Sequence, residues 1–162
     1  MNTGKRFEFN FKNSVPEDVF FYRLRDGSSA WGGNEKVRFQ QTNMCDVIMF
    51  DGNLFYTLEL KSVKGKSLPI SNIKKHQIKD LLKSREYKNV VSGLVIDFNV
   101  IDKCYYIDIN YIYKFIMLDS RKSISIDYCE EKGIEISVKR LRTNKKYDIN
   151  SFINNIRKCE LN

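Results

Sequence analysis

Apolar positions along the chain fall into short runs with two different periods. Residues 19–24, Val-Phe-Phe-Tyr-Arg-Leu, have the aromatic and branched content of a strand, and Pro16 ends whatever precedes them. Residues 46–50 and 54–61 form two apolar runs around Asp51-Gly52-Asn53, a turn-forming triplet, and predict a β-hairpin. Residues 72–83 place Ile73, Ile78, Leu81 and Leu82 at helical spacing, with Gln77 on the stripe of Ile73 and Leu81. Residues 90–98 read as a buried strand, 104–109 as another, 111–118 as a short apolar helix, 134–138 as a late strand and 150–159 as a closing helix with Phe152, Ile153 and Ile156 inward. In the first segment Phe7, Phe9 and Phe11 alternate as in a strand, while Phe7 and Phe11 also stack at i and i+4 of a helix, and the period leaves both open. Residues 68–71, Leu-Pro-Ile-Ser, break the pattern, and residues 26–41, rich in Gly and Ser around Trp31, read as a long excursion able to grip a ligand. The order of elements predicts mixed α/β architecture, one sheet flanked by helices.

Size and composition narrow the class. A chain of 162 residues with 42% hydrophobic content is long enough for one compact domain over residues 1–162, burying roughly two-thirds of its unfolded surface. No apolar run reaches the ~18 residues of a membrane span, and no signal core follows the N-terminal charges, so a cytoplasmic protein without membrane contact is expected. Cys45, Cys104, Cys129 and Cys159 lack paired spacing, which argues against a zinc cluster and for free thiols. Lys and Arg outnumber Asp and Glu by 28 to 20, for a net charge of +8 and a pI near 9.3, a balance that favours a polyanionic partner.

Candidate chemistry concentrates on the hairpin. Glu59 and Lys61 are two apart and share a strand face. If Gly52-Asn53 is the two-residue loop, Asp46 lies opposite Glu59; if Asp51-Gly52 is the loop, Thr57 faces Asp46 instead. The first register is preferred because it creates a chemical site. Like charges directly opposite destabilise a sheet unless a cation lies between them, and hard oxygen ligands with open positions suit Mg²⁺, for which Mn²⁺ can substitute. Spacing alone favours a plainer reading, in which Glu59 and Lys61 line the wet face of an edge hairpin. Two features weigh against it: Gln77 is polar on an apolar helical stripe, and Lys64, Lys66, Lys74 and Lys75 surround the centre as a cradle for phosphates. His76, the only histidine, points about 100° away from Gln77 on a helix, and is expected to be exposed.

These residues resemble a known family. Asp46 with Glu59-Leu60-Lys61 resembles the PD-(D/E)XK nuclease signature, and the run from Glu59 through Lys61-Ser-Val-Lys-Gly-Lys-Ser-Leu-Pro-Ile-Ser-Asn-Ile-Lys-Lys-His-Gln to Ile78 resembles RecU-type Holliday junction resolvases. Asn2-Thr3-Gly4 followed by Glu8 is similar to that family's N-terminal helix, and Arg121-Lys122-Ser123-Ile124 ahead of Glu131-Lys132-Gly133-Ile134 to its C-terminal segment. The resemblance implies a restriction-endonuclease-like core and a metal-dependent homodimer that cuts four-way DNA junctions symmetrically during recombination; the rival readings are a nuclease of other branched or duplex DNA and a basic DNA-binding module whose carboxylates are structural. It implies a helix at Phe7 to Phe11, with Glu8, Asp46 and Glu59 around the metal, Lys61 at phosphate or water, and Gln77 supporting them. Lys5, Arg6, Arg38, Lys64, Lys66, Lys74, Lys75, Arg121 and Lys122 are the corresponding DNA-contact candidates. The family's protruding stalk corresponds to residues 26–41, here short and Gly-rich, and Cys45 stands where the wider superfamily often has proline.

Overall fold

Two stretches leave no wet face for water, and they pair at the centre of the sheet. The computed structural model describes residues 2–24 and 42–161. It begins with helix α1 (Thr3–Lys12), which resolves the Phe7 to Phe11 ambiguity as helix, and strand β1 (Phe20–Arg23). The hairpin is β2 (Val47–Phe50) and β3 (Phe55–Val63), followed by β4 (Ser67–Pro69), a 3₁₀ turn over Ile70–Asn72, and helix α2 (Lys75–Arg85). Then come β5 (Val90–Phe98), β6 (Lys103–Asp108), α3 (Ile109–Leu118), β7 (Ser123–Ser125), α4 (Ile126–Lys132), β8 (Ile134–Glu135), β9 (Val138–Arg140), β10 (Lys145–Tyr147) and α5 (Ile149–Glu160). Trp31, Arg38 and the rest of the 26–41 excursion lie outside the described residues.

The six-stranded sheet runs β1-β2-β3-β5-β6-β8, and only the β3/β5 pair is parallel. A parallel pair needs a crossover, and this one contains β4 and α2, so the connection itself carries Gln77 over the sheet. Helices cover both faces. Phe7 and Phe11 of α1 and Phe152, Ile153 and Ile156 of α5 pack with Val47, Met49, Tyr56 and Leu58. On the other side Leu81 of α2, Ile112 and Phe115 of α3 and Cys129 of α4 pack with Leu94, Ile96 and Ile107. Residues 91–98 of β5 are buried and mostly apolar, as in parallel central strands, whereas β3, buried over residues 56–60, carries Thr57, Glu59, Lys61 and Ser62 among its apolar residues.

The hairpin takes the first of the two registers. Val47 pairs with Leu58 and Phe50 with Phe55, the Asp51 amide donates to the Leu54 carbonyl at 3.2 Å, and Gly52 and Asn53 form the loop. Gly52 has φ +92°, a left-handed conformation that glycine adopts without strain, and the Asp51 carboxylate accepts from the Asn53 and Leu54 amides, both at 2.8 Å.

Three expectations need correction. Residues 134–138 are not one strand: Ile134 and Glu135 extend the main sheet on β6, after which the chain leaves it and Val138 pairs with Tyr147 in a separate β9–β10 ribbon. The second helix begins at Lys75, not residue 72, because Ile73 is extended and buried against the core. Residues 68–71 are also more than a break, since Leu68 pairs with Ile124 in a two-stranded β4–β7 ribbon and Pro69 sits at its end, where a missing N–H is tolerated.

Candidate active site

The register carries chemistry because it continues past the last paired residues. Asp46 donates its backbone amide to the Leu58 carbonyl at 3.2 Å, and its side chain accepts the Leu60 amide at 2.9 Å, which lashes the carboxylate to the strand that carries Glu59. Glu59 is 1% exposed on the α2 face of β3. Its Oε1 accepts from Gln77 Nε2 at 2.6 Å and from Lys61 Nζ at 2.7 Å. The edge-hairpin reading fails here, because β3 is a central strand and Glu59 is buried.

Gln77 does two jobs from one position. Its carbonyl Oε1 accepts the Lys74 amide at 3.1 Å, closing the N-terminus of α2, and its amide donates to Glu59. The orientation of the amide is fixed by that pair of contacts, since reversal would set donor against donor and acceptor against acceptor. Further along α2, Ser84 joins Thr57 of β3 and Ser92 of β5 in a buried hydroxyl cluster: Thr57 to Ser84 is 3.1 Å, Ser84 to Ser92 is 2.5 Å, and Thr57 bonds Ser92. The helix is thus tied to the sheet at both ends of its inner face.

Electrostatics follow from burial. Desolvation, reinforced by the Asp46 carboxylate, pushes Glu59 up to about 7, against the opposing pull of Lys61. Its second oxygen, Oε2, is buried and has no hydrogen-bond partner. An orphaned carboxylate oxygen beside a second carboxylate fits a hard divalent cation, which needs only a few protein oxygens and keeps water in its remaining positions. Among the described residues no group of three or more His, Cys, Asp or Glu gathers in metal-holding geometry, and Asp46 is the carboxylate whose charge acts on Glu59. Burial, then the charges of Glu59 and Asp46, pushes the neighbouring Cys45 thiol up to about 12, so it is packed as a neutral group. All four cysteines are free, and three are buried.

The remaining candidates are distributed as follows. Glu8 is on the α1 side of the sheet, where it pairs with Arg23 Nε at 2.6 Å, and it does not join the other four. Arg23 is registered opposite Val47, and the Leu24 amide donates to the Asp46 carbonyl, so this ion pair borders the strand end that holds Asp46. Lys64, Lys66, Lys74 and Lys75 are exposed, and His76 is half-buried. Lys74 and Lys75 begin α2 with no acidic residue in its first turn, so they oppose the helix dipole, an arrangement that an anion relieves. The β4–β7 ribbon fixes Lys66 and Lys122 at its two ends: the Ile126 amide donates to the Lys66 carbonyl and the Ile70 amide to that of Lys122. Arg121 is paired with Asp119 and lies 5.0 Å over the Phe115 ring, while Lys5 and Arg6 are exposed on α1. Sequence reasoning missed Arg23, the Leu60 amide and the hydroxyl cluster. Of these, Thr57 and Ser92 left a signal, as polar residues inside apolar runs.

Comparison with known proteins gives the chain a family and a fold relative. The family model of recombination protein U matches residues 12–150, a span that includes Asp46, Glu59, Lys61 and Gln77 and excludes Glu8. The SPbeta prophage-derived uncharacterized protein YotM of Bacillus subtilis (strain 168) is 31% identical over 175 residues, covering 98% of this chain and 89% of that protein. Among solved structures, Hjc of Archaeoglobus fulgidus, a Holliday junction resolvase from an archaeal hyperthermophile, superposes with a TM-score of 0.53 at 14% identity, covering 82% of this chain and 95% of that one. The likeness to Hjc is one of fold, and matches the mixed sheet flanked by helices expected from the sequence.

Proposed function

The chain belongs to the recombination protein U family, and on that premise we propose that it is a metal-dependent endonuclease that resolves four-way DNA junctions by symmetrical nicks, acting as a homodimer in the cytoplasm. The carrying observation is the buried, unpartnered Glu59 Oε2 beside Asp46. Family membership supports the substrate class, as does the fold shared with an archaeal Holliday junction resolvase.

Asp46 and Glu59 would hold the cation. Bound there, Mg²⁺ or Mn²⁺ would lower the pKa of a coordinated water and neutralise charge on the scissile phosphate. Lys61, two residues from Glu59 on the same face, sets a second positive charge toward the phosphoryl oxygens or orients the attacking water. Gln77 and Lys61 both bind Oε1 of Glu59, so Oε2 would be the oxygen left to hold the cation. Lys74 and Lys75 at the head of α2 meet flanking phosphates. Hydrolysis consumes one water, breaks one P–O bond and leaves a phosphomonoester and a hydroxyl. Two symmetrical nicks require two such centres related by a two-fold axis, which is the reason for the dimer.

A labelled four-way junction, incubated with and without Mg²⁺ and read on both strands, tests the proposal. Paired nicks that need the cation are expected, with flap and linear duplex cut less at the same salt. Asp46→Asn and Lys61→Ala should bind the junction while losing at least about 10²-fold in cleavage. Cleavage retained by a clean Asp46→Asn preparation would overturn the site, and absence of scission on every substrate would overturn the activity.

A further inference from the structure

A second buried carboxylate sits on the opposite face of the sheet from Glu59. Asp97, near the end of β5, is fully buried and engaged at both oxygens. Oδ1 accepts from the Tyr147 hydroxyl at 3.2 Å and Lys145 Nζ at 3.3 Å, and Oδ2 from the Ser62 hydroxyl at 3.1 Å and the Asn99 amide at 3.4 Å. Lys145 also reaches the Asn99 carbonyl at 2.8 Å and Asp102 at 3.1 Å, and Asp102 in turn binds Arg140 at 2.8 Å. Against the desolvation that would raise it, hydrogen bonds from Arg140 and Lys145 hold the Asp102 carboxyl below the usual carboxylate range. The network fastens the β9–β10 ribbon to the end of β5.

Beside it opens a cleft of about 220 Å³ between this ribbon and α1. Arg6, Arg140, Arg142 and Lys145 line it, and Asp97 and Asp102 are taken up by Arg140 and Lys145. Arg6 and Arg142 have no carboxylate partner among the described residues. The buried Asn10 and the Asn99 and Asn144 amides add neutral donors. The Asp97 and Asp102 carboxylates are matched by Lys145 and Arg140, so the Arg6 and Arg142 guanidiniums that also line the cleft are positive charge in excess, which an anion would offset. Ser62, which touches Asp97, follows Lys61 in β3, so cleft and catalytic centre lie at one end of the sheet on its two faces.

We propose that this cleft binds a backbone phosphate of the DNA, a contact separate from the scissile one, with Arg6 and Arg142 as its ligands and the Asp97–Lys145–Asp102–Arg140 network as its fixed frame. The phosphate chemistry comes from the cleft; DNA as its source rests on the function proposed above.

The test uses the full chain and the Arg6→Ala/Arg142→Ala double variant, whose substituted side chains are exposed and carry no ion pair within the described fold. Binding of a fluorescent four-way junction is measured by anisotropy across a salt series without Mg²⁺. Affinity should fall at least about tenfold and the slope of log K against log salt by about two, with the melting temperature unchanged and Lys substitutions at both positions recovering much of the binding. Wild-type DNA binding matched by the double variant in affinity and slope overturns the cleft and spares the junction reading. No DNA binding by wild type overturns both. Inorganic phosphate that shifts the backbone amides of residues 141–144 in wild type, with DNA affinity equal in the two proteins, assigns the cleft to the free anion and overturns the DNA contact.

Discussion

Glu59 answers to two opposed demands, because burial favours its neutral form while Lys61 and Gln77 favour its charge. Between its ordinary 4.5 and the raised value of about 7, the native protein keeps a proton that the unfolded chain has released. Stability from this group is therefore greatest at low pH and declines as pH rises through that window. Thermal melts in chelator should show wild type losing stability between pH 5 and 8, with a shallower decline in Glu59→Gln; equal slopes would remove Glu59 as the cause. A divalent cation competes with the same proton, so its stabilising effect in wild type should grow over that pH range. At this scale Asp46, Glu59, Lys61 and Gln77 were legible because period-two strands, a two-residue turn and a helical stripe fix their placement. The Glu8–Arg23 pair and the Leu60 amide were not, since a contact between distant elements and a backbone donor leave no periodic trace.

At the scale of elements, α2 is both the crossover of the parallel pair and the support of the site. Gln77→Leu removes the donor to Glu59 and the acceptor for the Lys74 amide together, so a loss of about 10- to 100-fold in cleavage is expected with about 1 kcal/mol of stability. Ser92→Ala, which touches the hydroxyl cluster alone, should cost stability and leave the cleavage rate of the folded protein near wild type. If both variants lose activity in proportion to stability, Gln77 has no particular role. Gly93 sets the spacing of β5 against β6: a Cβ there would fall 2.2 Å from the Ile107 carbonyl oxygen, and Gly93→Ala should destabilise by ~3 kcal/mol or more in denaturant titration. Long elements were legible because their periods run for several repeats. The three-residue strands β4, β7, β9 and β10 were not, because pairing alone defines them and each spans barely one period.

For the whole molecule, charge and fold class were legible from composition and order of elements, whereas association follows only from the proposed function. No helix among the described residues is long and apolar enough to cross a membrane. Cations stand on both faces of the sheet, Lys74 and Lys75 at the head of α2 and Arg6 and Arg142 at the cleft beside α1, which suits a ligand wider than a single phosphate. The proposed dimeric action has a direct consequence when catalytic and inert subunits are mixed. Asp46→Asn subunits should still associate, so at equal amounts about half of randomly assorted dimers carry one working centre. On a plasmid with an extruded cruciform, paired nicks give a linear product and one nick gives an open circle. Linear product should therefore fall as the square of the wild-type fraction while open circles accumulate. A linear yield that falls in simple proportion to that fraction would mean that both nicks come from one chain, and would remove the two-fold axis from the mechanism.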